Sequence, residues 1–84
     1  MPENTNHPGR YVKQWLQDNR RSQAELAVAL GFQEPFISKI VNGKAHISPP
    51  IAIKLEAVTQ ISAATWMRYE TDFLLARAHS QVQH

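Results

Sequence analysis

The chain has 84 residues, no cysteine and a formal net charge of +2. A chain of this length forms one domain with a modest core, and the lack of cysteine excludes a disulfide framework and a thiolate metal site. No uncharged apolar run approaches the ~18 to 20 residues that span a bilayer, and the N-terminus lacks the basic start and apolar stretch of a signal peptide, so we expect a cytoplasmic protein with no membrane partner.

The first predicted element is an amphipathic helix. Residues 1–7 are polar and are predicted to form a flexible N-terminal arm that ends at Pro8 and Gly9. A helix then ends near Asn19, and its apolar face consists of Tyr11, Val12, Trp15 and Leu16.

A second helix is predicted from Gln23 to Leu30. Ser22 precedes it and Glu25 follows three residues later, which is the spacing of a capping box. Gly31 supplies the left-handed conformation that ends helices at little cost. The face that turns inward consists of Leu26, Ala27 and Leu30.

A third helix follows Phe32 and ends at Asn42–Gly43. Its inward stripe consists of Ile37, Ile40 and Val41, and its outward side chains are Glu34, Pro35, Phe36, Ser38 and Lys39. Ala27 is small enough to let the second and third helices cross closely at roughly 90 to 120°. Residues 22–43 are therefore predicted to form a helix-turn-helix.

The fourth helix is predicted to start within Ser48-Pro49-Pro50. Because a residue before proline avoids helical angles, we expect Pro49 at the cap and Pro50 at the first helical position. The residues of this helix that face the core are Ala52, Leu55 and Val58.

The fifth helix is predicted from Ala63 to Ala78, with Ser62 as its cap. One stripe consists of Trp66, Tyr69 and Phe73, and a second of Met67, Leu74 and Ala78. Either the second stripe is buried against another chain, or both stripes form one wide face inside the monomer. Residues 79–84 are predicted to be a flexible tail. With no alternating strand pattern, the expected fold is all-α, with five helices in one domain over residues 8–78.

The positive charge is concentrated around the helix-turn-helix. Residues 10–54 contain seven bases and three acids, a net charge of +4, whereas residues 55–84 carry a net charge of −1. A basic surface of this kind is typical of contact with phosphates, although it is also compatible with a solvated basic face.

The helix-turn-helix over residues 22–43 resembles that of the phage-repressor (XRE) class. Its flanks are similar to those of the HigA/VapI antitoxins, and the resemblance covers about residues 7 to 78. The flanking residues that carry it are His7-Pro8-Gly9, Asn42-Gly43-Lys44, Ile47-Ser48-Pro49, Ala52 with Leu55, and Trp66 with Phe73.

The resemblance implies that the third helix lies in the major groove of double-stranded operator DNA with its N-terminal residues against base edges. The matching base-reading positions are Gln33, Glu34, Pro35, Phe36 and Lys39. The implied phosphate contacts are Gln23, Asn42 and Lys44.

Several of these residues also have a structural interpretation. Gln33 either contacts adenine or phosphate, or it occupies the cap position; Glu34 accepts from cytosine or, as we favour, caps the helix. Pro35 is first a backbone device. Phe36 contacts thymine methyl groups, which we favour, or packs on Phe32 or helix one. The Glu-Pro-Phe run departs from the polar pattern of the class, so no target sequence is carried over.

No pattern of catalytic residues is present. The four histidines have no spacing that places two on one helix face of the ordered body, and no nucleophile or glycine-rich phosphate loop is recognisable. We therefore expect no enzymatic activity, no metal and no cofactor.

The sequence leaves three functional hypotheses. The favoured one is a homodimeric antitoxin that represses its own operon and neutralises a cognate HigB-like mRNA-cleaving toxin. The second is a stand-alone or prophage repressor of the same fold without a toxin partner. The third is a protein-interaction module that has lost DNA affinity, which the apolar Pro35 and Phe36 keep open.

Overall fold

The computed structural model describes residues 7–82, which form five α-helices and no strand. They are α1 (Gly9–Asp18), α2 (Gln23–Leu30), α3 (Glu34–Val41), α4 (Pro49–Thr59) and α5 (Ala63–Val82). The predicted all-α, five-helix fold is confirmed. None of these helices is long and apolar enough to cross a membrane.

The start of α4 differs from the prediction. Ser48 is the N-cap residue, with an extended backbone (φ −89°, ψ 164°), and Pro49 is the first helical residue. Ser48 is therefore the residue that avoids helical angles because a proline follows it. Pro49 is helical although Pro50 follows it, because its ring already fixes φ near −65° and the first turn needs no N–H from either proline.

Both ends of the domain also differ from the predicted boundaries. Helix α5 continues to Val82 instead of ending at Ala78, since no glycine or proline follows to stop it. The proposed flexible tail therefore loses residues 79–82 to the helix, and residues 83–84 lie outside the described residues. Of the predicted arm, residues 1–6 also lie outside them, whereas His7 packs edge-on against the Phe73 ring at 5.8 Å.

One apolar core joins all five helices. Trp66 and Ala52 are completely buried, and Ile47 of the loop before α4 is 2% exposed. The other core residues are Val12, Leu16, Leu26, Ala27, Leu30, Ile37, Ile40, Val41 and Leu55. Val58, predicted to face the core, packs against it while remaining partly exposed.

The two predicted stripes of α5 have different surroundings. Trp66 and Phe73 are buried, and Tyr69 of the same stripe stacks on Tyr11 of α1 with ring centroids 3.8 Å apart. Met67 packs on the core, whereas Leu74 and Ala78 are exposed. The second stripe is therefore divided: its first turn belongs to the monomer core and its last turns project from it.

Thr59 forms a hydrogen-bonding hub where α4 ends. Its hydroxyl donates to the Leu55 carbonyl at 2.8 Å and accepts from the Ile61 backbone N–H at 3.1 Å and from the Trp66 indole N–H at 3.3 Å. One donor and two acceptor sites are all that a hydroxyl possesses. The hub fixes the largest core side chain to the end of α4.

The N-terminus of α1 lies directly against the C-terminal end of α3. A Cβ atom at Gly9 would be 2.0 Å from the Ile40 carbonyl oxygen and 2.6 Å from that of Val41. Both obstacles are backbone atoms and neither can rotate away. Gly9 therefore sets the distance between α1 and α3.

Two helices are followed by a left-handed residue other than glycine. Arg20 (φ 53°) follows α1, and Gln60 (φ 64°) follows α4. At the first of these ends the Arg21 N–H donates to the Leu16 carbonyl at 2.9 Å, which satisfies a carbonyl that the helix leaves free.

Replacing Thr59 by the isosteric valine should destabilise the protein. Thr59→Val leaves the buried Trp66 indole N–H and the half-buried Ile61 N–H without their acceptor. An unsatisfied buried donor costs about 1 to 3 kcal/mol. Thr59→Ser retains the hydroxyl and serves as the control, which should lose less. Urea unfolding followed by far-UV circular dichroism measures both; equal losses would show that the methyl group, not the hub, carries the stability.

Adding a methyl group at Gly9 should also be destabilising. Gly→Ala in a helix normally stabilises by about 0.5 to 1 kcal/mol, but here overpacking should reverse the sign and cost about 1 to 3 kcal/mol. Thermal unfolding of Gly9→Ala measures the effect, and Lys13→Ala on the exposed face of α1 is the matched control. A gain in stability for Gly9→Ala would contradict the close approach of α1 and α3.

Candidate nucleic-acid interface

The chain around α2 and α3 has the predicted helix-turn-helix geometry. The Ser22 hydroxyl accepts from the Glu25 N–H at 3.0 Å, and Glu25 Oε1 accepts from the Ser22 N–H at 2.7 Å, which completes the capping box. Gly31 ends α2 in the left-handed conformation (φ 78°). Ala27 and Ile37 are buried between the helices, so α3 is held against α2 by its inner face.

The predicted base-reading residues lie on the outer side of α3 and at its start. The side chains that are exposed are those of Gln33, Glu34, Pro35 and Lys39, and Phe36 is half-buried. The structure thus places four of the five candidates together on one accessible surface, adjoining the N-terminal end of α3.

The start of α3 decides between the two predicted caps. Gln33 is the N-cap residue, with an extended backbone (φ −81°, ψ 147°), and its side chain makes no cap hydrogen bond. Glu34 is the first helical residue, so the expectation that it caps the helix is wrong. Pro35 follows inside the first turn, where its missing N–H is not needed. The Glu34 carboxylate instead lies at the positive end of the helix dipole, which stabilises it.

Phe36 packs against the turn that precedes its own helix. Its ring meets Phe32 edge-to-face with centroids 5.1 Å apart. The Lys54 ammonium lies 5.5 Å from the Phe32 centroid and donates to the Leu30 carbonyl at 3.4 Å. The structural alternative for Phe36 is therefore present, and its side chain remains partly exposed.

The predicted phosphate contacts lie at the two ends of the motif. Gln23 begins α2 and is half-buried, whereas Asn42 and Lys44 follow α3 and are exposed. The Lys44 N–H donates to the Lys39 carbonyl at 2.8 Å, so the backbone that carries Lys44 is tied to the last turn of α3. The Asn42 amide donates to the Ser38 hydroxyl at 3.4 Å.

A buried acid on α5 also contacts this region, and sequence reasoning missed it. Glu70 is only 4% exposed; its Oε1 accepts from the Ile47 N–H at 3.1 Å, and its Oε2 lies 2.8 Å from His46 Nδ1. The signal was its position: Glu70 is four residues after Trp66 and three before Phe73, on the buried face of an amphipathic helix.

His7 contacts the segment that follows α3 at Gly43. A Cβ atom at Gly43 would be 2.8 Å from His7 Cδ2, so the imidazole covers this glycine (φ 75°). His7 Nδ1 is buried with no hydrogen-bond partner among the described residues. Desolvation, and then the positive charge of Arg10, lower the pKa of His7 from its ordinary value of 6.5.

Further basic side chains surround the motif. Those that are exposed are Lys13, Arg20, Arg21 and Lys54. Within residues 7–82, no three His, Cys, Asp or Glu side chains are grouped so that they could hold a metal ion. The chemistry available on this surface is therefore that of cations, amides, the Glu34 carboxylate and one aromatic edge. The cations suit phosphates, and the polar groups suit base edges.

Comparison with known proteins agrees with this geometry. Virulence-associated protein A of Dichelobacter nodosus is 35% identical over 79 residues, which cover 92% of this chain and 78% of that protein. A structure described as an antidote protein of a plasmid maintenance system, from Nostoc punctiforme, has a TM-score of 0.88 at 26% identity and covers 92% of this chain and 85% of that one. Pseudomonas aeruginosa antitoxin HigA, solved with the higBA promoter, has a TM-score of 0.85 at 33% identity over 89% of this chain and 83% of that one.

The family model described as helix-turn-helix matches residues 12–66, which include α2, α3 and all of α4. The predicted resemblance is confirmed: this chain belongs to the XRE-type helix-turn-helix family, and its structural neighbours are HigA-family antitoxins.

Proposed function

We propose that the protein is a homodimeric repressor that binds double-stranded operator DNA, with one α3 in the major groove of each of two half-sites about 34 Å apart. The observation that carries this proposal is the division of α3 into two faces. Ile37 and Ile40 are buried, while the N-terminal end and Lys39 are exposed beside the exposed Lys44. The similar HigA structure, described with the higBA promoter, supports the proposal that this chain binds promoter DNA.

Within this mode the candidate residues have separate roles. Lys44, Asn42 and Gln23 lie at the ends of the motif and contact phosphates, which set affinity and register. Gln33, Glu34 and Lys39 are the polar groups able to reach base edges, since Gln pairs with adenine, Glu with cytosine and Lys with guanine. The exposed part of Phe36 meets thymine methyl groups, with its orientation fixed by Phe32.

We further propose that the protein is an antitoxin, which neutralises a cognate HigB-like mRNA-cleaving toxin and represses the operon that encodes both. The supporting observation is that the similar structures are an antitoxin and an antidote protein. Because the operator and the mRNA that the toxin cleaves are in the cytoplasm, the proposal also locates the protein there. The alternative is a stand-alone or prophage repressor, and co-purification from the native operon distinguishes the two: an antitoxin retains a second, nuclease-like protein.

The operator proposal predicts a salt-dependent complex with the promoter fragment upstream of the chain's own gene. A protein that makes several phosphate contacts should bind this fragment at about 50 mM salt and lose affinity by orders of magnitude at about 200 mM. The reason is that binding releases counterions from the DNA, and this release is less favourable when the salt concentration is higher. A gel-shift or fluorescence-anisotropy titration measures this, with an unrelated fragment of equal length as control. An unshifted promoter at low salt would exclude the proposal.

Lys44 and Lys39 should differ in the kind of defect that they cause. Lys44→Ala removes one phosphate contact from each protomer, so affinity should fall alike for all sequences and the salt slope of the dimer should decrease by about two. Lys39→Ala should cost about 1 to 3 kcal/mol at one base position if the side chain reads a base. Arg68→Ala on α5 removes the same charge away from the motif and is the control. Indistinguishable effects of all three substitutions would leave only a general electrostatic attraction.

A further inference from the structure

The α3–α4 loop, residues 42–48, is attached to α5 as well as to α3. At its start the Lys44 N–H is bonded to the Lys39 carbonyl, as described above. Two and three residues later, the His46 ring and the Ile47 N–H are both held by the Glu70 carboxylate, at 2.8 and 3.1 Å. The backbone is therefore fixed at the Lys44 N–H itself and again two to three residues later.

The same face of α5 supports the loop at a second point. Phe73, three residues after Glu70, contacts the His7 ring, and that ring covers Gly43. Residues 70 and 73 lie on one face of a helix, so a single turn of α5 holds the loop on both sides of Lys44.

Glu70 is an unusual residue to find behind a surface that binds polyanions. A carboxylate there opposes DNA binding by charge, and burying it is costly unless hydrogen bonds compensate. Both carboxylate oxygens of Glu70 contact the loop, and neither contacts a basic side chain of α5. Its contacts are therefore those of a residue that shapes the loop.

The geometry points to Glu70 as a positioning residue for DNA binding: it touches no DNA, and it fixes the α3–α4 loop so that Lys44 meets a phosphate. This inference rests on the proposed operator binding, and it gives α5 an indirect role: the helix supports the DNA-binding surface from behind. A positioning residue can be distinguished from one that only stabilises the fold. Loss of a stabilising residue lowers the folded fraction, whereas loss of a positioning residue lowers the number of phosphates that the folded protein contacts.

The test compares Glu70→Ala and Glu70→Gln with the wild-type full chain, using the promoter fragment at several salt concentrations. Asp72→Ala is the matched control, because Asp72 is an exposed acid two residues along the same helix and its removal changes the charge equally. Circular dichroism establishes that each variant is folded at the assay temperature.

The expected results differ in sign. Removing an acid should leave affinity unchanged or raise it, as for Asp72→Ala, since repulsion of the phosphates decreases. Glu70→Ala should instead weaken binding of the dimer by about 60-fold at 0.1 M salt and lower the salt slope by about two, which is the contribution of one phosphate contact from each protomer. Glu70→Gln retains an oxygen for the Ile47 N–H and should restore most of the affinity.

A double substitution tests whether Glu70 acts through Lys44. Once Lys44→Ala has removed the contact, adding Glu70→Ala should cause no further decrease in the slope. If Glu70→Ala does not fold, Glu70→Asp replaces it, since aspartate keeps the charge but withdraws the carboxylate by one methylene group from the loop. Glu70→Asp should reproduce the loss of slope.

Two outcomes overturn the inference. One is a folded Glu70→Ala or Glu70→Asp variant with the wild-type slope and affinity, and the other is a loss of slope that adds fully to that of Lys44→Ala. In both cases the wild-type chain still binds the promoter, so operator binding stands. If the wild-type chain itself leaves the promoter unbound, the proposed function fails first.

Discussion

The outer face of α3 is free to meet a ligand because its inner face is anchored in the core. A helix of eight residues has little stability of its own in water, so its position depends on tertiary contacts. Ile37 and Ile40 provide these on the side of α2, and the carbonyls at the C-terminal end of α3 lie against Gly9 of α1. The anchoring contacts use one stripe and the end of the helix. They leave the N-terminal turn, where a groove-bound helix meets base edges, uncovered by the described part of the chain.

Local signals predicted most of the fold, because they act within a few residues. The capping box at Ser22 and the glycine after α2 fixed the limits of that helix correctly, and the stripe of Ile37 and Ile40 identified the buried face of α3. Errors arose where two local rules competed. The successive prolines predict a start of α4 one residue too late. The proline after Glu34 predicts a cap at Glu34, whereas Gln33 holds that position.

The interactions that the sequence did not reveal are those that join distant segments. Glutamate is usually exposed, and only the fold brings Glu70 into contact with His46 and Ile47, which are 24 and 23 residues away from it in the sequence. His7 likewise belongs to the domain only because Gly43 and Phe73 meet around it. Helix α5 thus belongs to two parts of the molecule: its first turns complete the core and the support of the α3–α4 loop, and its last turns carry exposed leucines.

The left-handed residues after α1 and α4 have a practical consequence. Arg20 and Gln60 occupy a conformation that costs a residue with a side chain about 1 to 2 kcal/mol, whereas glycine adopts it freely. Part of that gain is lost to the greater freedom of glycine in the unfolded chain. The remainder is a net gain in folding free energy that the natural sequence does not use. Such unused gains are common, because selection acts only against proteins whose stability falls below a threshold. Both positions lie outside α3, so replacing either residue by glycine should raise the free energy of unfolding without altering the recognition helix.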